Sequence, residues 1–319
     1  MTLTYTKRVL VSGGAGFIGI NFLTYMVRKY PEYHFTCIDK LNYASNTGVI
    51  DDLQKYANFE FIQLDLSENL ETLLQVTKET TDIINFAAES CVDRSFDNPI
   101  YFTKNNILAT QNLLECHRLN SNITFFLHIS TDEVYGDNDD HAKEGIANLN
   151  PTNPYSASKA AIDLIINSYQ YSYNLPITII RPNNVYGPLQ YPEKLIPLAI
   201  KCIQENTPVP IHGDGTNKRK YLYVHDLVLA IETIWSKQEQ TINQIYNIGG
   251  TDELDNVSLV KLIFRIFGDG TINYVKNRNY NDIKYSIDTT KVRKLGWEPK
   301  ISLEQGLKLC KQFSDFSIK

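Results

Sequence analysis

The first half of the chain alternates short apolar runs with longer stretches of helical period. Strands are predicted at RVLVS (Arg8–Ser12), HFTCID (His34–Asp39), FEFIQL (Phe59–Leu64), DIINFA (Asp82–Ala87), ITFFLHIS (Ile123–Ser130) and ITIIRP (Ile177–Pro182). Helices are predicted between them, around 17–29, 67–78, 99–119 and 155–173. Nearly unbroken apolar strands separated by helices imply an α/β fold, a doubly wound parallel sheet covered on both faces. After Pro182 the texture changes, and proline, glycine and tyrosine crowd RPNNVYGPLQYPEKLIP and TPVPIHGDGTNKRKYLY. Such loops predict a smaller C-terminal lobe that covers a ligand. The helix VHDLVLAIETIW (224–235) and the strand QIYNIGG (244–250) read as core elements that return to the first sheet. The expected division is a first domain over 1–182, completed by about 221–250, and a lobe built from 183–220 and 251–319. Near the end of the chain, Asp288 or Thr289 is placed to cap KVRKLG, with Gly296 as its stop, and SLEQ (Ser302–Gln305) has the form of a capping box.

Composition narrows the possibilities. The chain has 319 residues, a net charge of −5 and 43% hydrophobic residues, enough for one large core or two modest ones. Its lysines and arginines are dispersed, so no basic face for nucleic acid is expected. Cys37, Cys91, Cys116, Cys202 and Cys310 are scattered without a CxxC pair. That predicts reduced thiols in a cytoplasmic protein, with neither a disulfide framework nor a metal site. The N-terminus lacks an apolar signal segment, and no run approaches the length of a membrane span.

The turn after the first strand changes the picture most. In SGGAGFIG, Gly13, Gly16 and Gly19 have GxxGxxG spacing between a strand and a helix, with Phe17 and Ile18 in the first helical turn. This pattern brings backbone close to a pyrophosphate and points a helix N-terminus at its charge. The acidic residue at the end of the second strand, Asp39, stands where a ribose-binding carboxylate is required. It would repel a 2′-phosphate, which favours NAD over NADP, although the adjacent Lys40 softens that repulsion. The sheet is therefore read as Rossmann-type. Asp65, followed by Leu66 in LDLS, suits either an adenine contact or a capping role. FAAES ends the fourth strand, placing Ala87, Ala88 and Ser90 along the nicotinamide crevice, because ligands gather at the C-terminal ends of such strands.

Two further patterns carry proton chemistry. Tyr155 and Lys159 in NPYSASKA are four apart and share a helical face. A tyrosine at its ordinary pKa near 10 is a poor base, and a neighbouring ammonium is expected to favour the phenolate. The second is STDEVYG (130–136), where an apolar strand ends on the adjacent carboxylates Asp132 and Glu133. Carboxylates placed there need partners or a chemical role.

On these residues the chain resembles the extended short-chain dehydrogenases/reductases, through SGGAGFIG, YSASK, YNIGG and LGWEP. More narrowly it resembles nucleoside-diphosphate-glucose 4,6-dehydratases, through DKLNYASN, FAAESCVDRS, STDEVYG, NNVYGPLQYPEKLIP, PIHGDG and YLYVHD. PTNPYSASKA, NNVYGP, IHGDGTN and NRNYND are most similar to the dehydratase part of plant UDP-rhamnose synthases. The resemblance spans essentially the whole chain. It implies a lyase that oxidises C4 of UDP-glucose or dTDP-glucose with NAD, eliminates water across C5 and C6, and returns hydride to C6.

In that scheme Tyr155 takes the C4 hydroxyl proton, Thr131 holds that hydroxyl, and Lys159 holds the ribose and tunes Tyr155. Glu133 takes the C5 proton and Asp132 protonates the leaving C6 oxygen. Arg219 and Arg278 are implied as diphosphate ligands, with Asn184, Lys194, Leu195, Ile211, His212, Asn247 and Asn281 lining the nucleotide site. A homodimer and a role in rhamnose synthesis are also implied. The chain departs from the family at Cys91, where histidine is usual in bacterial members, at Asn279, where proline is common, and at Lys284, where arginine is usual. The rival readings are a sugar-nucleotide 4-epimerase or decarboxylase on the same fold, and a non-catalytic NAD-binding sensor.

Overall fold

The computed structural model describes residues 4–138, 141–278, 280 and 282–317. Six parallel strands follow the apolar runs: β1 (Lys7–Ser12), β2 (Tyr33–Asp39), β3 (Phe59–Gln63), β4 (Asp82–Asn85), β5 (Phe125–Ile129) and β6 (Ile177–Pro182). Five short strands come later: β7 (Asn184–Tyr186), β8 (Val209–His212), β9 (Lys218–Tyr223), β10 (Ile245–Ile248) and β11 (Glu253–Asp255), followed by β12 (Ile272–Val275). The central sheet has seven strands in the order β3-β2-β1-β4-β5-β6-β10. It is an α/β, Rossmann-type sheet. The order reverses between β1 and β4, which opens a crevice at their C-terminal ends.

Alternation along the strands explains the two covering layers. Val9 and Val11 face a core shared with Phe22, Leu23 and Met26 of the helix Phe17–Lys29 and with Leu227, Val228 and Ile231 of the helix Val224–Ser236. Leu10 faces the opposite core, with Leu113 and Leu114 of the helix Ala109–Leu119 and Ile162 and Ile166 of the helix Pro154–Tyr173. The buried Asp82 pins the first layer to the sheet, accepting from Trp235 Nε1 and Lys7 Nζ, both at 2.7 Å. A third core belongs to the C-terminal lobe, where the helices Leu195–Gln204 and Asn256–Phe267 pack together over β8.

The structure differs from the sequence pattern in two instructive places. The single helix expected at 99–119 is broken into Pro99–Phe102, a π-helical turn at Thr103–Leu108, and Ala109–Leu119. The wide turn carries Asn106 into the interior. Its amide accepts from the Glu89 N–H at 2.7 Å and donates to the Glu89 carbonyl at 3.0 Å and to Ser158 Oγ at 2.8 Å. Such turns are frequent at functional sites, and this one holds the wall of the crevice. The lobe helices Leu195–Gln204 and Asn256–Phe267 are not among the elements that the sequence pattern predicts.

The helix at 154–173 starts on Pro154, behind a reciprocal capping box made by Asn153 and Ser156. Near the C-terminus Asp288 caps the turn at Thr290, Gly296 takes a φ of +85°, and Ser302 and Gln305 bond reciprocally. Among the described residues, no helix is long and apolar enough to cross a membrane.

Candidate active site

The crevice is one cleft with two connected chambers. Phe17, Ile18, Ser90, Ser130, Tyr155 and Lys194 line both. The first chamber runs from the glycine turn along the strand ends. Gly13, Gly16, Gly19, Asp39, Lys40, Asp65, Leu66, Ala87, Ala88 and Lys159 line it, so the proposed cofactor contacts share one wall. Gly13 has a φ of +67°, and a Cβ there would lie 2.5 Å from the backbone nitrogen of Ala87. A Cβ on Gly19 would lie 2.5 Å from the Gly13 carbonyl oxygen. The turn is packed so closely that only glycine leaves the backbone at the chamber surface, and this fits a dinucleotide pyrophosphate. Gly13→Ala is expected to destabilise the protein by more than about 1 kcal/mol, read as a lower urea midpoint, because it combines a left-handed backbone with a backbone clash.

Asp39 accepts from the backbone N–H groups of Leu41 at 2.9 Å and Ala15 at 3.1 Å, which fixes its carboxylate at the chamber edge. Burial raises its pKa, and those two bonds oppose the shift. Lys40 does not stand free beside it. Its Nζ lies 2.8 Å from Glu89 and donates to Asn105 Oδ1 at 2.6 Å, so its charge is already matched and does little to soften Asp39 toward a 2′-phosphate. Of the two roles open to Asp65, the structure displays capping: Oδ1 accepts from both the N–H and the hydroxyl of Ser67.

The second chamber lies between the sheet and the C-terminal lobe. Thr131, Glu133, Asn184, Leu195, Ile211, His212, Arg219 and Arg278 line it. Thr131 lies two residues beyond β5 and caps the one-turn helix Asp132–Tyr135, its Oγ1 accepting from the Glu133 N–H at 3.3 Å. That turn splits the two acids. Glu133 faces the chamber, with Asn153 Nδ2 at 3.5 Å from Oε2. Asp132 lies behind Thr131, only 2% exposed, where Oδ1 accepts from the Thr131 hydroxyl at 3.3 Å and Oδ2 from Asn183 Nδ2 at 2.7 Å. Burial, reinforced by the Glu133 charge, pushes the Asp132 pKa up to about 7, against the Asn183 bond. Burial also raises the Glu133 pKa, and the Lys194 and Arg219 charges hold it back. One acid is therefore poised to carry a proton at neutral pH, and the other sits beside cations that favour its ionised form.

Several expectations need correction. Tyr155 and Lys159 do line the first chamber together, but the phenol is not lowered. Burial, then the Glu133 charge, raises its pKa, and the Lys159 amine points instead to the Ile129 carbonyl at 2.7 Å and to His128 Nε2 at 3.2 Å. Asn247 does not line the cleft. It is fully buried in β10, accepting from the Tyr135 hydroxyl and donating to the carbonyls of Ala142 and Asp288, so its polar atoms hold the fold together. Arg278 lines the chamber but is paired with Asp93, Nε to Oδ1 at 2.6 Å and Nη2 to Oδ2 at 2.8 Å. Asn281 and Asn279 lie outside the described residues. Cys91 is buried at the chamber wall, and Lys284 is 3.7 Å from Glu253 rather than in the chamber.

The sequence reading missed some of the lining. Glu193 borders both chambers, and Asp282 and Tyr285 border the second. Asp282 accepts from Thr152 Oγ1 and Tyr285, while Arg219 stacks over the Tyr285 ring at 4.5 Å and donates to the Asp282 carbonyl. Glu193 stands within QYPEKLIP and Asp282 within NRNYND, but only the folded lobe shows that they reach the cleft.

This fold and cleft define a dinucleotide-dependent enzyme of the extended short-chain dehydrogenase/reductase class. The comparisons with known proteins narrow the class. The chain belongs to the GDP-mannose 4,6-dehydratase family, whose model matches residues 10–310. A Schizosaccharomyces pombe protein of uncharacterised function is 48% identical over 95% of this chain and 96% of its own length. A trifunctional Arabidopsis thaliana protein, UDP-glucose 4,6-dehydratase/UDP-4-keto-6-deoxy-D-glucose 3,5-epimerase/UDP-4-keto-L-rhamnose-reductase, is 44% identical over 95% of this chain. The chain spans 46% of that plant protein's length. Among solved structures, a dTDP-glucose 4,6-dehydratase from Streptomyces venezuelae with NAD bound superposes with a TM-score of 0.91 at 34% identity, covering 97% of each chain.

Proposed function

We propose that the chain is an NAD-dependent NDP-glucose 4,6-dehydratase, a hydro-lyase that converts UDP-glucose or dTDP-glucose to the NDP-4-keto-6-deoxyglucose. The observation that carries this reading is the adjacent pair Asp132–Glu133, one acid buried behind the cleft wall with its pKa near 7 and the other facing the cleft. Gly13, Gly16, Gly19 and Asp39 would hold NAD, which when bound would supply the hydride acceptor for C4 and the hydride donor for C6.

Every other step belongs to side chains. Thr131 holds the C4 hydroxyl, and Tyr155 takes its proton as the phenolate, which the positive nicotinamide ring of bound NAD would favour. The resulting 4-keto group acidifies C5, Glu133 takes the C5 proton, and Asp132 supplies, through the Thr131 hydroxyl 3.3 Å from its Oδ1, the proton that leaves with the C6 oxygen as water. Glu133 then returns its proton to C5. Arg219, Arg278 and Lys194 surround the diphosphate, which displaces Asp93 from Arg278. Segments 1–182 and 221–250 hold the cofactor, and 183–220 with 251–319 hold the sugar nucleotide. The reading carries with it the homodimeric, cytoplasmic enzyme of rhamnose synthesis that the resemblance implies. A 4-epimerase or decarboxylase needs no elimination pair, and a sensor needs no Tyr155.

The test offers UDP-glucose and dTDP-glucose at equal concentration and follows each by mass. Loss of water from UDP-glucose is expected to outpace loss from dTDP-glucose about tenfold, the scale of one methyl group against a pocket wall. Inversion at C4 with no loss of water would replace the reading with an epimerase. No change in either compound would remove it.

A further inference from the structure

Asn183 follows β6 directly and is buried. Its backbone N–H donates to the Ile248 carbonyl of β10 at 2.9 Å, which anchors it at the C-terminal ends of the strands. Its side chain reaches the turn after β5, where Nδ2 donates to Asp132 Oδ2 at 2.7 Å. An ionised carboxylate only accepts, so the amide must face it with its nitrogen. That orientation leaves the amide oxygen stranded. Asn183 Oδ1 is buried with no hydrogen-bond partner among the described residues. Gly249 leaves the room for it, since a Cβ there would lie 2.5 Å from Oδ1. Buried polar atoms are almost always paired, so an orphaned one points to a role beyond packing.

The two oxygens of Asp132 have different outlooks. Oδ2 faces Asn183, whereas Oδ1 lies 3.3 Å from Thr131 Oγ1, and Thr131 lines the second chamber where Asp132 does not. Only a proton on Oδ1 has a path to the cleft. We propose that Asn183 is a positioning residue that occupies Oδ2 with its amide hydrogen and so sets the transferable proton of Asp132 on Oδ1, facing Thr131. Its use in turnover rests on the dehydratase reading, but the hydrogen bonding does not. The acid donates from Oδ1 to Thr131 Oγ1. On delivery that proton passes to Oγ1, and the hydrogen Thr131 already carried passes to the leaving oxygen. The carboxylate then accepts from Thr131 on one oxygen and from Asn183 on the other, which is the arrangement the structure displays. Three other ionisable groups face Asp132. Burial raises its pKa, the Asn183 bond and the Arg219 charge from β9 oppose the rise, and Glu133 on the same turn adds to it. Tyr155 faces it from the helix Pro154–Tyr173, its own pKa raised by burial and then by the Glu133 and Asp132 charges.

The experiment is an NMR titration of the full chain labelled with ¹³C-aspartate and ¹⁵N-asparagine, the Asp132 carboxyl being assigned by its loss in Asp132→Asn. Asp132 is expected to titrate near pH 7 in the parent protein. The Asn183 amide hydrogen is expected to stay protected from solvent exchange both above and below that midpoint. Its release on the acid side would mean that the proton had gone to Oδ2, and would overturn the proposal without any variant. Asn183→Leu keeps the branched shape and removes the donor, and Asn183→Ala removes it without crowding Gly249. Both are expected to raise the Asp132 midpoint by about one pH unit, a tenfold gain in proton affinity, because the ionised form loses a hydrogen bond. The fall of elimination with rising pH should move up by the same unit. A purely structural asparagine would lower the urea midpoint and scale the pH profile without moving it. An Asp132 midpoint that stays put in a folded variant, or that lies below pH 5 in the parent, also overturns the proposal. Failure of the dehydratase reading looks different: neither sugar nucleotide loses water, while the Asp132 midpoint still rises in the variants.

Discussion

Glu133→Gln and Asp132→Asn are each expected to slow water elimination by about 10²–10⁴-fold while leaving NAD affinity within about a factor of two. The factor is that of a single positioned acid or base, and neither side chain lines the first chamber. The two variants should fail differently. Without the Glu133 carboxylate, the C5 hydrogen no longer exchanges with deuterium from solvent. Without the Asp132 proton, exchange at C5 continues but the C6 oxygen does not leave. Mass spectra taken in deuterium oxide read both outcomes, and full turnover in either variant would remove that residue from the mechanism.

The pH dependence follows from the same pair. Asp132 must hold a proton to act, and burial has raised its pKa to about 7. The acid form is therefore the majority below that pH and roughly a tenth of the molecules one unit above it. Elimination by the parent protein should fall as pH rises through about 7, and an elimination rate that stays level from pH 6 to 9 would count against Asp132 as the donor.

The second large effect is on stability. Arg181→Met is expected to cost about 3–5 kcal/mol, measured as a lower midpoint in urea, because it leaves the Asp163 carboxylate buried without its partner. Both side chains are fully buried, with Arg181 Nε and Nη2 each 2.9 Å from Asp163 Oδ2. Ser130 donates to the same oxygen at 3.1 Å. Adding Asp163→Leu should recover most of the loss, since it removes the stranded charge along with its partner. Arg181 also donates to the Tyr135 hydroxyl at 2.8 Å and to the Gly145 carbonyl at 2.9 Å. Tyr135 closes the turn that bears Asp132 and Glu133, so the single variant should lose activity at temperatures where it is still folded. A double variant no more stable than the single would show that the pair is held by packing rather than by charge.

Much of this molecule was legible along the chain because its signals are local. Apolar runs separated by helical periods specify a sheet covered on both sides, and β6 runs over Ile177–Pro182 as its pattern predicts. Glycine spacing between a strand and a helix specifies a phosphate turn, since it depends only on backbone within a few residues. The TDE triplet and the Tyr155–Lys159 spacing place four ionisable groups at the ends of adjacent elements.

Tertiary structure decided what those groups are. Whether Asp132 or Glu133 keeps its proton depends on which one the turn buries and where Asn183, Lys194 and Arg219 come to lie, and these arrive from fifty or more residues away. Lys40 reads as a free cation until Glu89 is folded against it, and Asn247 reads as a ligand contact until β10 closes the sheet around it. Sequence determined the fold and the kinds of group that chemistry would use, because propensity and periodicity act between near neighbours. Charge, burial and hydrogen-bond partners act through space, so only the folded chain determined which group holds each proton.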